Sequence, residues 1–205
     1  MARKRAAILD AAHREFMAHG FAGTTMEAIA AAAKVSIMTL YRHADDKEDL
    51  FRAVIAEACA RAVEAGQADP EADRALPLAE ALQARAIRFQ AHLAGKETVA
   101  LLRAITVETV RYPDLADRTW QAVIGTHRDA VAALLAHRDE TRSLGAEKRN
   151  RLAAAFLDRL VGTDMIAILL GRDAADPGIQ EARARAAVAE VLAAIPAYAP
   201  GRRLV

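Results

Sequence analysis

The chain has 205 residues, 54% of them hydrophobic, and a formal net charge of +1 at pH 7. This size and apolar content allow one small domain and one larger one, each with a buried core. Its single cysteine, Cys59, excludes an intramolecular disulfide and suits a reducing compartment. The longest apolar stretch, near residues 165–170, is far too short to span a bilayer. We therefore expect a cytoplasmic protein with no membrane anchor, no cofactor and no metal.

The first predicted helix covers about residues 3–19 and is basic at its start. Apolar residues recur along it at helical spacing, namely Ile8, Leu9, Ala12 and Phe16. Gly20 follows, and glycine readily adopts the positive φ that ends many helices. We expect this helix to pack one apolar face against the rest of an N-terminal domain.

Residues 24–50 contain two short helices separated by a turn too brief for anything but a helix-turn-helix. Thr24 and Glu27 have the spacing of a capping box, which predicts the start of the first of these helices. Ser36 is expected to cap the second helix, with Leu40 facing inward. The outward positions of that second helix are Met38, Thr39, Arg42 and His43.

The segment from residue 3 to about residue 54 resembles the DNA-binding head of TetR-type transcriptional regulators. Four motifs carry the resemblance: His19-Gly20-Phe21, Thr24-Thr25 before Ile29-Ala30, Val35-Ser36 before Thr39-Leu40-Tyr41, and Lys47-Glu48-Asp49-Leu50. Residues 103–116 are more weakly similar to one branch of the family. The apolar spacing and the glycine and proline breaks along the chain predict an all-α protein of about nine helices. Residues 1–50 would form a three-helix helix-turn-helix head, and residues 51–205 a body for ligand binding and dimerisation.

Two positions of the head depart from the family pattern. Lys34 stands in the turn where glycine is usual, and a positive φ there would cost about 1 kcal/mol. Ala44 stands where an aromatic residue is usual, which leaves less packing behind the second helix of the motif. Neither departure removes a side chain that would face DNA.

Positive charge is concentrated on the head, where residues 1–44 contain six Lys or Arg side chains and three Asp or Glu side chains. Arg42 is expected to contact either a phosphate or a guanine, while Met38, Thr39 and His43 reach bases in the major groove. Lys47 would hold a phosphate because a cation in the first turn of a helix opposes the helix dipole, although neighbouring acidic residues also offset this conflict.

Thr25 and Tyr41 are positioning contacts by resemblance, and Tyr41 has the alternative of a half-buried core residue. The basic residues at positions 3–5 are either a flexible arm on the DNA backbone or a solvated terminus. The predicted DNA-binding residues are Thr25, Ser36, Met38, Thr39, Tyr41, Arg42, His43 and Lys47.

The body begins with residues 66–77, whose two prolines predict a loop. The fifth predicted helix follows, and the sixth, residues 98–112, is apolar on nearly every side and should be central. The seventh has a predicted buried stripe of Leu115, Trp120, Val123, His127, Val131 and Leu134. A cavity between these three helices would bind an apolar or aromatic small molecule. Its candidate lining residues are Phe89, Leu102, Thr106, Thr109, Trp120 and His127, with plain core packing as the alternative for each.

The eighth and ninth predicted helices, about residues 146–170 and 178–195, have apolar residues on more than one side. One side would meet the body and another the same helices of a second copy, which gives a two-fold four-helix bundle. Packing of both helices within a monomer is the alternative. The resemblance also implies the homodimer.

The remaining function classes find little support in the sequence. The six histidines lack metal-ligand spacing such as HExxH, and no glycine-rich phosphate loop occurs, so an enzyme is not expected. A helical interaction module without DNA binding is the alternative. We expect a ligand-responsive regulator, by resemblance a repressor that a small molecule releases from a palindromic operator. The operator sequence, the effector and the regulated genes are not encoded in the chain.

Overall fold

A computed structural model describes residues 2–66, 70–173 and 176–196. These residues form twelve α-helical segments, one π-helical turn and one 3₁₀ turn, without any strand, which confirms the all-α class. The helices are α1 Ala2–Gly23, α2 Met26–Ala32, α3 Ile37–Tyr41, α4 Lys47–Gly66, α5 Pro70–Ala75, α6 Leu78–Leu93, α7 Lys96–Glu108, α8 Pro113–Trp120, α9 Thr126–Ala136, α10 Ala146–Val161, α11 Asp164–Leu169 and α12 Pro177–Ala193. Among the described residues, no helix combines the length and the apolarity that a membrane span requires.

The described residues belong to two compact units. The first unit comprises residues from 1–62 and 99–120, and the second comprises residues from 63–98 and 121–205. Residues 99–120 therefore pack with the helix-turn-helix. The predicted domains, residues 1–50 and 51–205, divide the chain by expected function. The two packing units divide it at different positions.

An aromatic cluster forms the centre of the first unit. Phe16 and Phe21 of α1 each make an edge contact with Phe51 of α4, with ring centroids 5.1 and 5.2 Å apart. Tyr112, which precedes α8, lies 5.9 Å from Phe21 and 5.7 Å from Phe51. All four rings are buried. Such ring pairs contribute about 0.5–1.5 kcal/mol each beyond the burial of their area, so this cluster fixes α1 and α4 beside the segment before α8.

Two arginines cover the polar side of this cluster. The guanidinium carbon of Arg52 lies 4.9 Å from the Tyr112 ring centroid, and that of Arg111 lies 5.0 Å from the Phe21 ring centroid. Both arginines pair with Glu48, at 3.7 and 3.4 Å, and Arg52 Nη1 also donates to Asp114 at 2.7 Å. The cations thus stack on rings and meet carboxylates at the same time.

The expectation that residues 98–112 form a central helix is wrong. Val107 and Val110 are 80% and 97% exposed, and only Thr98, Val99, Leu101, Ile105 and Tyr112 of this stretch are buried. An open groove of about 780 Å³ lies along α7, with Phe16 and Phe21 of α1 on its other side. A sequence that is apolar all round therefore does not guarantee burial all round, because small residues such as Ala100 and Ala104 leave the groove unfilled.

Residues 67–69 of the predicted loop at 66–77 lie outside the described residues, and the remainder contains a short helix, α5, which the two prolines did not suggest. Asp73 of α5 is buried and accepts hydrogen bonds from Arg85 and Arg88 of α6. Arg138 donates to the backbone oxygens of Asp73 and Leu76. Long-range ion pairing stabilises this helix, and the local sequence does not show such contacts.

The seventh predicted helix is interrupted by a π-helical turn, Gln121–Gly125. Leu115, Thr119, Val123, His127 and Val131, each four residues after the last, are buried, and so are Ala122, Gly125, Leu134 and Leu135. Trp120 is one residue out of this phase and is 60% exposed, so its predicted place on the buried stripe is wrong. A Cβ atom at Gly125 would lie 2.1 Å from the end of the exposed Gln121 side chain, so a larger residue there requires that side chain to move.

Replacement of Asp73 by alanine should lower the free energy of unfolding by about 3–5 kcal/mol, because it leaves the buried Arg85 guanidinium without a counter-charge. Urea denaturation followed by circular dichroism measures the change. The matched control is Asp139→Ala, which removes a carboxylate paired with Arg142 on the surface, where both side chains are more than 80% exposed. The control should change stability by no more than about 0.5 kcal/mol. Equal losses in the two variants would contradict the buried role of Asp73.

Candidate functional site

The first helix of the helix-turn-helix, α2, is capped by Thr25. Its side-chain oxygen accepts a hydrogen bond from the Ala28 N–H at 3.1 Å, and its φ and ψ are extended. The prediction that Thr24 is the cap is wrong: Thr24 is buried and its hydroxyl lies within hydrogen-bonding distance of the Gly20 and Glu15 carbonyls. Gly20 has φ 71° and ψ 175°, a region open essentially to glycine alone, so the interruption predicted at Gly20 is confirmed.

The turn of the motif is a Schellman arrangement with a lysine in the glycine position. The N–H of Val35 donates to the Ala30 carbonyl at 3.0 Å, and the N–H of Lys34 donates to the Ala31 carbonyl at 3.1 Å. Lys34 has φ 56°, so the positive φ considered for this position is present. The two bonds end α2, and only four residues separate Ala32, its last residue, from Ile37, the first residue of α3.

The second helix, α3, starts at a side-chain cap as predicted. Ser36 accepts from the Thr39 N–H at 3.2 Å, and the two hydroxyls lie 2.9 Å apart. Leu40 is fully buried and anchors the helix, while Met38 is 73% exposed. Arg42 is exposed, and Thr39 and His43 are half-buried. The side chains predicted to reach bases are therefore all accessible at least in part, with Arg42 at the C-cap of α3 and His43 just after it.

The three residues predicted to contact phosphates have different surroundings. Thr25 is exposed at the start of α2, and Tyr41 is 49% exposed at the end of α3. Lys47 is half-buried, and its ammonium donates to the carbonyl oxygens of Phe21 and Thr24, both at 2.9 Å. These bonds offset the conflict between the lysine charge and the dipole of α4 without a phosphate. One of the three ammonium hydrogens remains for an anion.

The residues predicted to bind a ligand are divided between the two units. In the first unit, Leu102 and Thr109 are half-buried, whereas Thr106 and Trp120 are exposed. The Thr106 hydroxyl donates to the Leu102 carbonyl at 2.6 Å, within its own helix. Contacts of these four residues with a ligand stay predictions.

In the second unit, Phe89 of α6 and His127 of α9 do meet. Their ring centroids are 5.0 Å apart, and the His92 ring lies 5.1 Å from that of His127. Phe89 and His127 are buried, and His127 Nε2 has no hydrogen-bond partner. Burial and, to a lesser degree, the neighbouring His92 and then the positive charges of Arg85 and Arg88 lower the pKa of His127 to about 4. His92 was not a candidate, although its spacing of three residues from Phe89 places both on one side of the helix.

A capped two-helix motif with an exposed second helix defines a DNA-binding protein of the helix-turn-helix class. The family model for bacterial regulatory proteins of the tetR family matches residues 8–54, and the model for the C-terminal domain of AefR-like transcriptional repressors matches residues 80–200. The chain belongs to the TetR family and is a DNA-binding transcriptional regulator. Members of this family bind DNA and small-molecule ligands.

Several solved structures are similar over nearly the whole chain. A TetR-family transcriptional regulator from Mesorhizobium loti is 25% identical, with 94% of this chain and 96% of that chain covered and a TM-score of 0.79. The flavonoid-responsive regulator FrrA is 28% identical, with coverage of 96% and 99% and a TM-score of 0.77. A TetR-family member from Streptomyces coelicolor is 27% identical, with coverage of 94% and 98% and a TM-score of 0.59. Comparison with curated proteins gives no significant match.

Replacement of Lys34 by glycine should raise the free energy of unfolding by about 1 kcal/mol, because glycine adopts φ 56° without a clash at Cβ. Chemical denaturation of the whole chain, followed by helical circular dichroism, measures the change. The control Lys34→Ala removes the same charge but keeps a Cβ atom, and it should not stabilise the protein. A gain in both variants would attribute the effect to charge.

Because the pKa of His127 is lowered, we expect the free energy of unfolding to decrease as the pH decreases. The unfolded histidine takes up a proton near pH 6.5 and the folded one near pH 4, so its contribution is complete above pH 6.5 and is lost as pH falls from 6.5 to 4. The loss amounts to roughly 3 kcal/mol at most. We expect His127→Phe to flatten the unfolding free energy between these pH values relative to wild type. The control His137→Phe alters an exposed histidine near the end of the same helix. The same flattening in the control would exclude His127 as the source.

Proposed function

We propose that the protein is a cytoplasmic repressor that binds a palindromic operator as a homodimer and is released by an apolar or aromatic small molecule. The observation that carries the proposal is the exposed face of α3 beside the capped turn. Family membership supports the same role. Catalysis is no part of this proposal.

The DNA contacts follow from the chemistry of the head. Met38, Thr39 and His43 would contact base edges, and Arg42 a guanine or a phosphate. Ser36, whose hydroxyl is next to that of Thr39, would support this base contact from the start of the helix. Phosphates on either side of the contacted bases would be bound by Thr25, by Tyr41 and by the third ammonium hydrogen of Lys47. Phosphate contacts position the motif, and base contacts select the sequence.

The dimer would form through α10, α11 and α12. Helices α10 and α12 pack against each other within the chain. On these elements Ile166, Leu170 and Ile179 are 63%, 77% and 53% exposed. The small residues Ala182, Ala186 and Gly162 line a groove with Ile179, together with the charged Asp158, Arg159 and Arg183. An exposed apolar surface with small residues suits close packing against the same helices of a second copy.

The effector would bind in the body, with Phe89 and His127 among its contacts. We propose Leu102, Thr106, Thr109 and Trp120 as further contacts. FrrA is described as flavonoid-responsive, and flavonoids are aromatic molecules that carry oxygen. An effector acts only if it binds one arrangement of the two heads better than the other.

The operator test is footprinting on genomic fragments that the protein retains. We expect two protected half-sites with inverted symmetry, their centres one helical turn of about 34–36 Å, or a multiple, apart. Sedimentation of the complex should give two chains per operator. Protection of a single asymmetric half-site at saturation would contradict the dimer. Small molecules that bind the protein and release it from the operator would identify the effector.

Replacement of Lys47 by methionine tests its phosphate contact. Loss of one phosphate contact should weaken binding to all sequences alike and reduce the slope of log affinity against log salt by about one. Lys148→Met, an exposed lysine of α10, is the control and should leave the slope unchanged. Thr39→Ala should instead alter base preference. Weaker binding by the Lys47 variant with an unchanged slope would assign Lys47 to holding the α1–α2 turn alone.

A further inference from the structure

Three side-chain nitrogens are buried without a hydrogen-bond partner in one region of the second unit. They are Nε of Arg85, Nε2 of His92 and Nε2 of His127. Arg85 and His127 are more than nine-tenths buried. An unpaired buried polar atom costs about 1–3 kcal/mol, so three of them together require a physical explanation.

Two of these nitrogens belong to one side of α6, and the third belongs to α9, which packs against that side. Arg85, Phe89 and His92 follow one another on α6 at intervals of four and three residues, which places them on one side of the helix. His127 of α9 contacts that side through the rings of Phe89 and His92. The region therefore combines hydrogen-bonding nitrogens with an aromatic ring.

The charge of this region is not balanced. Arg85 and Arg88 both act on His127, and Asp73 is the carboxylate that pairs with both arginines. Arg85 and Asp73 are buried, whereas the Arg88 side chain is 46% exposed, so two guanidinium charges, one buried and one partly in water, meet one buried carboxylate. A bound anion would complete the balance, and it would also accept hydrogen bonds from nitrogens that now lack partners.

We propose that this region binds the oxyanion of the effector, a carboxylate or phenolate attached to an aromatic body. The oxyanion accepts from Arg85 Nε and from the His92 and His127 imidazoles, and the aromatic body packs on Phe89. This inference rests on the proposed function, because it names the chemistry of the same effector.

The same charges argue against a metal ion at the two histidines. Both arginines repel a cation, and in the described residues no group of three or more His, Cys, Asp or Glu side chains is placed to hold a metal. A metal cation at these histidines would lie near the buried positive charge of Arg85 and would be repelled by it. An anion meets the opposite situation.

The test uses benzoate and its neutral analogue benzamide as probes. Both are titrated into the full chain labelled with ¹⁵N at histidine, and the imidazole signals are followed by NMR. We expect benzoate to shift the His92 and His127 signals in a saturable way and to bind about tenfold or more tightly than benzamide, as expected for hydrogen bonds to a charged group. A parallel titration with phenolate, at a pH where it is ionised, shows whether the site prefers a carboxylate or a phenolate.

Two variants and one control accompany the titration. His127→Phe keeps a ring against Phe89 and removes the nitrogen, and His92→Leu removes the other imidazole. Each should weaken benzoate binding about tenfold and leave benzamide binding nearly unchanged. His137→Phe, near the end of the same helix as His127, should affect neither probe. Circular dichroism confirms that each variant is folded, and either of the two variants alone suffices for the comparison.

Three outcomes would overturn the inference: no saturable shift with benzoate, equal affinity for benzoate and benzamide, or benzoate binding that survives both histidine variants. Failure of the proposed function is seen separately, as failure to bind a palindromic operator. If the operator is bound and another compound releases it from the His127→Phe variant as efficiently as from wild type, the regulator stands and the oxyanion site is refuted.

Discussion

Stacking of cations on buried aromatic rings is the interaction on which the first unit depends. Phe16, Phe21, Phe51 and Tyr112 come from three separate parts of the chain, and their packing brings α1, α4 and the residues before α8 together. Lys47 and Arg111 then lie against the Phe21 ring. Because Lys47 also bonds the carbonyls that precede α2, the cluster sets where the helix-turn-helix begins.

The second unit uses its cations differently. The buried Arg85 and the exposed Arg88 both pair with a single buried aspartate, Asp73. Nitrogen atoms of Arg85, His92 and His127 have no hydrogen-bond partner, and burial lowers the pKa of both histidines. In the first unit, by contrast, Arg52 and Arg111 meet both rings and carboxylates. A buried cation with an unpaired nitrogen requires an explanation, such as an ordered water, a bound ion or a functional role. The distribution of satisfied and unsatisfied cations therefore separates the part of the protein that holds its shape from the part proposed to bind.

The sequence predicted the features that depend on neighbouring residues. The Ser36 cap, the interruption at Gly20 and the inward position of Leu40 involve contacts within a few residues, and all three are confirmed. It failed where distant contacts or a change of helical period decide the outcome. Helix α5 depends on Arg85, Arg88 and Arg138, and the exposure of Trp120 follows from the four-residue period of the buried positions around the π-helical turn. Contacts with DNA and with the effector involve molecules outside the chain. The sequence therefore indicates candidate residues for these contacts but does not determine the contacts.

The positive φ of Lys34 affects how many other mutations the head can carry. Small domains unfold at a cost of only about 5–15 kcal/mol, so a strain of about 1 kcal/mol takes up a real share of the margin that absorbs damaging substitutions. A chain with glycine at this position would tolerate weaker packing elsewhere in the head, for example at Ala44, before losing its fold. Laboratory evolution of new operator preferences on α3 would therefore have more room if it started from the relaxed turn.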